Sequence, residues 1–142
     1  MHIEFRRGGL TTSENIIVAK GFDAHSKEQR APPYSKEHIS WLVRDERDEI
    51  AAVLTANILW DWMYVDELWV SSELRGGGHG TKLILLAEEF ASSRDQQGIW
   101  LWTQSWQAEQ FYSRLDYSEF ARFENFPTGH TRIGFRKSLS LE

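Results

Sequence analysis

Hydrophobic positions change their period several times along the chain, and the changes mark out its elements. Ile17, Val18 and Phe22 recur at helical spacing behind Thr11-Thr12-Ser13-Glu14, which has the Ser/Thr-x-x-Glu spacing of a capping box, so a helix is predicted over Thr12 to His25. Gly21 lies inside that stretch and weakens it. Ahead of it, Ile3 to Phe5 reads as a short strand, and Glu28 to Lys36, carrying Pro32-Pro33, reads as an irregular loop.

The middle of the chain alternates instead. Ile39, Trp41 and Val43 form one strand pattern, the charged turn Asp45-Glu46-Arg47-Asp48 leads into a strand from Ile50 to Trp60, and Asp61 falls at the next turn. A third strand, Met63 to Val70, would place Tyr64, Asp66, Leu68 and Val70 on one face and Val65, Glu67 and Trp69 on the other. Then come Leu74-Arg75-Gly76-Gly77-Gly78-His79-Gly80-Thr81 and a helix to about Arg94, with Leu83, Leu86, Ala87 and Phe90 at helical spacing. Ile99 to Thr103 is a short apolar strand, Ser105 is placed to cap a helix through Leu115, and two terminal strands flank Asn125-Phe126-Pro127-Thr128-Gly129. The fold class is α/β in the broad sense (α+β): a central sheet with helices packed on its faces.

Composition narrows the function classes. At 142 residues, with no internal repeat or low-complexity tract, the chain reads as a single domain over 1–142. A net charge of -5 offers no general attraction for nucleic acid, and no run approaches the roughly 20 apolar residues of a membrane span. Met1-His2-Ile3-Glu4 is charged too early for a signal peptide, so a cytoplasmic location is expected, and Leu141-Glu142 reads as a cloning remnant. The absence of cysteine excludes a disulfide scaffold, a thiolate metal site and a thiol nucleophile. Seven tryptophans are more than a core of this size requires.

The glycine loop carries the clearest chemistry. Backbone N–H groups in such a loop can turn toward an anion, and the helix that follows adds unsatisfied donors and the positive end of its dipole, which suits a phosphate or pyrophosphate. A Gly-x-x-x-x-Gly-Lys-Ser/Thr reading fails because Thr81 follows Gly80, and Gly-x-Gly-x-x-Gly would need glycine where Thr81 stands.

Arg75-Gly76-Gly77-Gly78-His79-Gly80 resembles the signature of the GNAT superfamily of acetyl-coenzyme A-dependent N-acetyltransferases: Arg or Gln, two residues, Gly, one residue, Gly or Ala. It follows the strand Asp66-Glu67-Leu68-Trp69-Val70 and opens a helix, as in that family. Downstream, Phe111-Tyr112-Ser113-Arg114-Leu115-Asp116-Tyr117 is similar to the family's Phe-Tyr, two residues, Leu-Gly-Phe or Leu-Gly-Tyr landmark. Trp106-Gln107-Ala108 and Pro127-Thr128-Gly129-His130 resemble the Phe-Gln-Ala and Pro-x-Gly-His of a small bacterial subgroup. The resemblance implies a mainly antiparallel sheet of about six to seven strands with helices on both faces. It also implies acetyl-coenzyme A as cosubstrate, no metal, and a homodimer. Leu68, Trp69 and Val70 would pair with the pantetheine arm, and Arg75, Gly76, Gly77, Gly78, His79, Gly80 and Thr81 would form the pyrophosphate loop. The His79 side chain occupies a variable position of that motif.

Amide formation sets further demands. Freeing the lone pair of an aliphatic ammonium at pH 7 costs roughly 4.6 kcal/mol, so a base or water path must take a proton, while a departing thiolate can accept one from a phenol. The resemblance assigns Tyr112 as that acid. Asp66 is a candidate base or amine-orienting carboxylate, and His130 is an alternative because its unperturbed pKa near 6.5 suits the task. Trp60, Trp62, Trp102 and Trp106 are candidates for an acceptor wall able to make cation–π contact. Two departures stand out: Asp116 replaces the landmark's usual glycine, and Trp102 replaces an aspartate common in the subgroup. The expected activity is N-acetylation of a small-molecule amine, with a protein or peptide acceptor and a non-catalytic coenzyme A-binding module as the alternatives.

Overall fold

The structure, a computed structural model, describes residues 1–107 and 109–140. Ala108, part of the expected downstream landmark, and Leu141-Glu142, read as a cloning remnant, lie outside the described residues. The chain divides into two compact units, Met1–Ser35 and Lys36–Glu142.

The first unit is built on α1 (Thr12–Glu28). Thr11 is its N-cap: the Thr11 hydroxyl accepts from Glu14 N at 3.2 Å and Thr11 N donates to Glu14 Oε1 at 2.7 Å, the reciprocal box expected from the spacing. Arg6 adds two donors to the same carboxylate, at 3.0 and 2.7 Å. That guanidinium, ahead of the Thr11 amide, pulls the Glu14 carboxyl down to about 2. The helix continues through Gly21, and Ile3 to Phe5 forms no strand, since a three-residue apolar segment among charged neighbours gains few ladder bonds.

The second unit is a six-stranded sheet in the order β1-β2-β3-β4-β6-β5. Its strands are β1 (Glu37–Arg44), β2 (Ile50–Leu59), β3 (Trp62–Val70), β4 (Gly98–Gln104), β5 (Ser118–Glu124) and β6 (Thr131–Ser138). Short turns join β1 to β2 and β2 to β3; at the second, Trp60 and Asp61 take φ of 50 and 68, the paired positive values of a tight hairpin that follows the strand twist. Only β3 and β4 run parallel, and α2 (His79–Ser93) supplies the crossover such a pair requires. No helix among the described residues is long and apolar enough to cross a membrane.

Cross-strand register assigns the faces. Ala52, Leu54 and Ala56 of β2 lie opposite Val70, Leu68 and Val65 of β3, and this face continues through Ile99 and Leu101 of β4 to Ile133 and Phe135 of β6. Leu83, Ile84, Ala87 and Ala91 of α2 close the core against it, all at 3% exposure or less. The short α3 (Glu109–Arg114) contributes Tyr112 to the same core. Ser105 does not cap a helix from that point: it exchanges bonds with Thr131, donating from its amide at 2.8 Å and accepting at its hydroxyl at 3.0 Å, so the helix starts later.

The alternation expected along β3 needs one correction. Ala56 faces Val65 and Thr55 faces Glu67, leaving Asp66 as the extra residue of a β-bulge. The bulge shifts the phase by one: Val65, Leu68 and Val70 share the core face, while Tyr64 shares the opposite face with Glu67 and Trp69.

Candidate active site

Beyond Val65 and Leu101 the pairing of β3 with β4 stops, yet each strand remains paired on its far side, β3 with β2 and β4 with β6. The two strands therefore part, and the facing edges of residues 66–70 and 102–104 are not bonded to each other. A cavity of about 1090 Å³ opens in this fork. An extended ligand carrying amide groups can bond to such an edge as an added strand does.

One end of the cavity is the glycine loop. Leu74 N bonds Ser71 O at 3.0 Å, Gly77 N bonds Leu74 O at 3.3 Å, and Arg75 Nε donates to Val70 O at 3.2 Å, tying the loop to the end of β3. Gly78 is the N-cap of α2 with φ 82, a left-handed conformation that glycine adopts without strain, and it brings no capping side chain. The first bond closed in this turn is Lys82 N to Gly78 O, at 3.0 Å, so the N–H groups ahead of it have no partner within the helix. No acidic residue sits in the first turn of this 15-residue helix. The arrangement is an open cradle of donors at the positive end of a helix dipole.

The other end is walled by α3. Tyr112 is 7% exposed, with its ring 5.0 Å from Phe111, 5.8 Å from Tyr117 and 5.8 Å from Phe135. Burial pushes its phenol up to about 12, so it holds its proton at neutral pH. Phe111 closes over the loop: a Cβ added at Gly80 would lie 3.5 Å from Phe111 Cζ. Gln107 steadies the turn before α3 by accepting from Gln104 N at 3.1 Å and Thr103 Oγ1 at 3.3 Å.

The fork brings together most of the residues singled out from the sequence. Asp66, Leu68, Trp69, Val70, Arg75, Gly76, Gly78, His79, Gly80, Thr81, Trp102, Trp106 and Tyr112 line the cavity; Gly77 stands in the loop without lining it. Trp60 and Trp62 do not join them, because Trp60 lies in the β2–β3 turn and Trp62 begins β3, at the end remote from the fork; Trp62 instead borders a hollow of about 190 Å³ with Trp100, Phe120 and Arg136. His130 also stays outside the lining and packs edge-on against Trp106 at 4.8 Å. Glu67 and Thr103 line the cavity without having been singled out, and so does Gln107, noted from the sequence only as part of a landmark. Strand alternation set Glu67 with Trp69, opposite Leu68 and Val70, and that grouping holds; the bulge, which no sequence signal marked, instead changes the faces of Tyr64 and Val65.

Residues 14–117 match the family model described as Acetyltransferase (GNAT) family. The chain belongs to that family. Blasticidin-S acetyltransferase of Streptomyces morookaense is 39% identical over 89 residues, covering 61% of this chain and 64% of the relative, so the match spans less than two thirds of that relative's length. An acetyltransferase from Bacillus cereus ATCC 14579 has 27% identity and a TM-score of 0.83, with 98% of both chains covered. An aminoglycoside 6'-N-acetyltransferase solved with coenzyme A shares the fold at 16% identity and a TM-score of 0.66, over 94% of this chain and 97% of that one. Within this GNAT chain, Asp116 takes the left-handed φ of 68 that the family's usual glycine would accommodate, so the substitution keeps the turn.

Proposed function

We propose that this chain is an acetyl-coenzyme A-dependent N-acetyltransferase acting on a primary amine of a small molecule by direct attack. The observation that carries the reading is the fork between β3 and β4, which runs from an anion cradle at α2 to a buried, protonated phenol on α3. The donor and recipient features match the parts of the cosubstrate: the edge at Leu68, Trp69 and Val70 suits an amide-bearing arm, and the amides from Gly76 through Thr81 suit a pyrophosphate. Acetyl-coenzyme A supplies the thioester whose C–S bond breaks as the N–C bond forms.

The chain's own groups handle protons and charge. Asp66 is exposed in the cavity wall, where it attracts an ammonium and takes one of its protons on the way to water. Tyr112 donates toward the departing sulfur. A phenol near 12 giving its proton outright to a thiolate near 8.5 costs about 4.8 kcal/mol, so Tyr112 acts mainly as a hydrogen-bond donor while charge develops. Of the three ammonium protons, one leaves through Asp66, one stays on the amide nitrogen and the third ends on the coenzyme A sulfur. Trp102 and Trp106 add aromatic rings to the wall, and Trp102 already carries Arg132 at 5.2 Å from its ring.

The likeness to Blasticidin-S acetyltransferase supports blasticidin S as the first acceptor to test. The protein is incubated with acetyl-coenzyme A and, separately, blasticidin S, an aminoglycoside, a polyamine and a peptide, and free thiol is assayed. Turnover on a small amine is the expected result. Turnover on the peptide alone would move the assignment to a protein acceptor, and tight cofactor binding without any turnover would leave a binding module.

A further inference from the structure

Beside Tyr112, three polar side chains that no step above uses meet at the edge of the core. Tyr117 donates to Glu88 Oε2 at 2.9 Å, and Lys137 donates to Glu88 Oε1 at 2.9 Å. Glu88 and Lys137 are largely enclosed, with side chains 12% and 24% exposed, and Lys137 Nζ lies 5.6 Å from the centre of the Tyr117 ring. The triad ties α2, β6 and the turn after α3 to one another.

Packing alone does not call for this arrangement. A phenylalanine at 117 would fill the same space, and an enclosed ion pair contributes little net stability because desolvation offsets its attraction. What the triad does fix is position. Tyr117 N and Leu115 N both bond Tyr112 O at 3.0 Å, closing α3 through the left-handed Asp116, and the Tyr117 ring stands edge-on to the Tyr112 ring. At six residues, α3 is too short to hold its own geometry without such ties. Glu88, the anchor, belongs to the helix whose first residues form the anion cradle, about 14 Å away along the axis.

We infer that Tyr117, held by Glu88 and Lys137, is a positioning residue that sets the Tyr112 hydroxyl at a fixed distance from the α2 cradle. This rests on the assignment of Tyr112 as the donor, and the test separates the two. Thiol release from acetyl-coenzyme A, with whichever acceptor of the panel above the wild type turns over fastest, is measured for the wild type, Tyr112→Phe, Tyr117→Phe and the double variant, alongside thermal melts. Tyr117→Phe is expected to lower kcat five- to tenfold with KM for acetyl-coenzyme A within twofold, and to add nothing in the Tyr112→Phe background. Glu88→Gln, which keeps an acceptor but loses the charge, provides a second cycle if Tyr117→Phe melts below the assay temperature, with the same non-additivity expected. A Tyr117→Phe rate within twofold of wild type, or a loss that multiplies with that of Tyr112→Phe, overturns the inference and leaves the donor assignment standing. An unchanged rate in Tyr112→Phe overturns the donor assignment and the inference with it.

Discussion

Thr55 donates to Glu67 Oε1 at 3.0 Å across β2 and β3, directly beside Asp66, the residue that the bulge leaves without a cross-strand partner. The bond divides the work of two neighbouring carboxylates. Glu67 is already committed to a hydroxyl, whereas no described side chain hydrogen-bonds or ion-pairs with Asp66, which is therefore the better placed to receive an ammonium. Asp66→Asn should lower kcat/KM for the amine about a hundredfold at neutral pH, within the range of a lost general base. Thr55→Val should lower it by about threefold or less. Steady-state kinetics check both, and a larger loss from Glu67→Gln than from Asp66→Asn would reverse the assignment.

Much of the fold, and the glycine loop of the site, was legible before any coordinate because the signals were local. The Thr11 box, the two-residue turn at Asp61 and the glycine loop each depend on residues a few positions apart, and each forms where the spacing put it. The faces of Tyr64 and Val65 were not legible. A one-residue bulge at Asp66 is set by pairing with Thr55 and Ala56, some ten residues away, and it inverts the phase of everything on one side of it. Trp60 and Trp62 were misleading for a related reason: proximity in sequence to β3 says nothing about which end of the strand faces the fork. Ser105 looked like a helix cap, but its partner Thr131 lies on another strand.

The loop glycines should respond differently to the same added methyl group. Gly78 has φ 82 and open space where a Cβ would go, so Gly78→Ala adds backbone strain without a clash, costing roughly 1–2 kcal/mol and weakening acetyl-coenzyme A binding through a displaced cradle. At Gly80, where φ is not in the left-handed range, an added Cβ makes ordinary contact with Phe111 at 3.5 Å. Gly80→Ala should leave stability within about 0.5 kcal/mol of wild type. Urea unfolding with calorimetric binding of coenzyme A separates the two effects, and equal destabilisation by both variants would contradict the conformational argument.

Asp116 offers a test of whether the turn after α3 is strained by its departure from glycine. Aspartate tolerates φ 68 better than most residues, but glycine carries no steric penalty there, so Asp116→Gly should raise stability by about 0.5 kcal/mol after the greater entropy of the unfolded glycine is set against it. Asp116→Ala should lower it by about 1 kcal/mol. A Tm that falls in the glycine variant would show that the aspartate side chain contributes more to the turn than its backbone strain removes.

Alkaline pH should expose the two enclosed phenols. Burial pushes Tyr112 up to about 12, and burial together with the Glu88 carboxylate pushes Tyr117 higher still, while an unfolded tyrosine ionises near 10. Above about pH 10 the unfolded chain therefore binds fewer protons than the folded one, and stability must fall as pH rises. The contribution is fully present below pH 10 and, for Tyr112, is lost by the time pH has passed about 12; two pH units correspond to roughly 2.7 kcal/mol. Urea midpoints measured at about pH 9 and about pH 11.5 should therefore drop in the wild type and drop less in Tyr112→Phe, which has no phenol to ionise. Equal drops in the two proteins would mean that the fold does not oppose ionisation of Tyr112, and a phenol ionising near 10, still protonated at neutral pH, would give its proton to the departing sulfur at a cost of only about 2 kcal/mol.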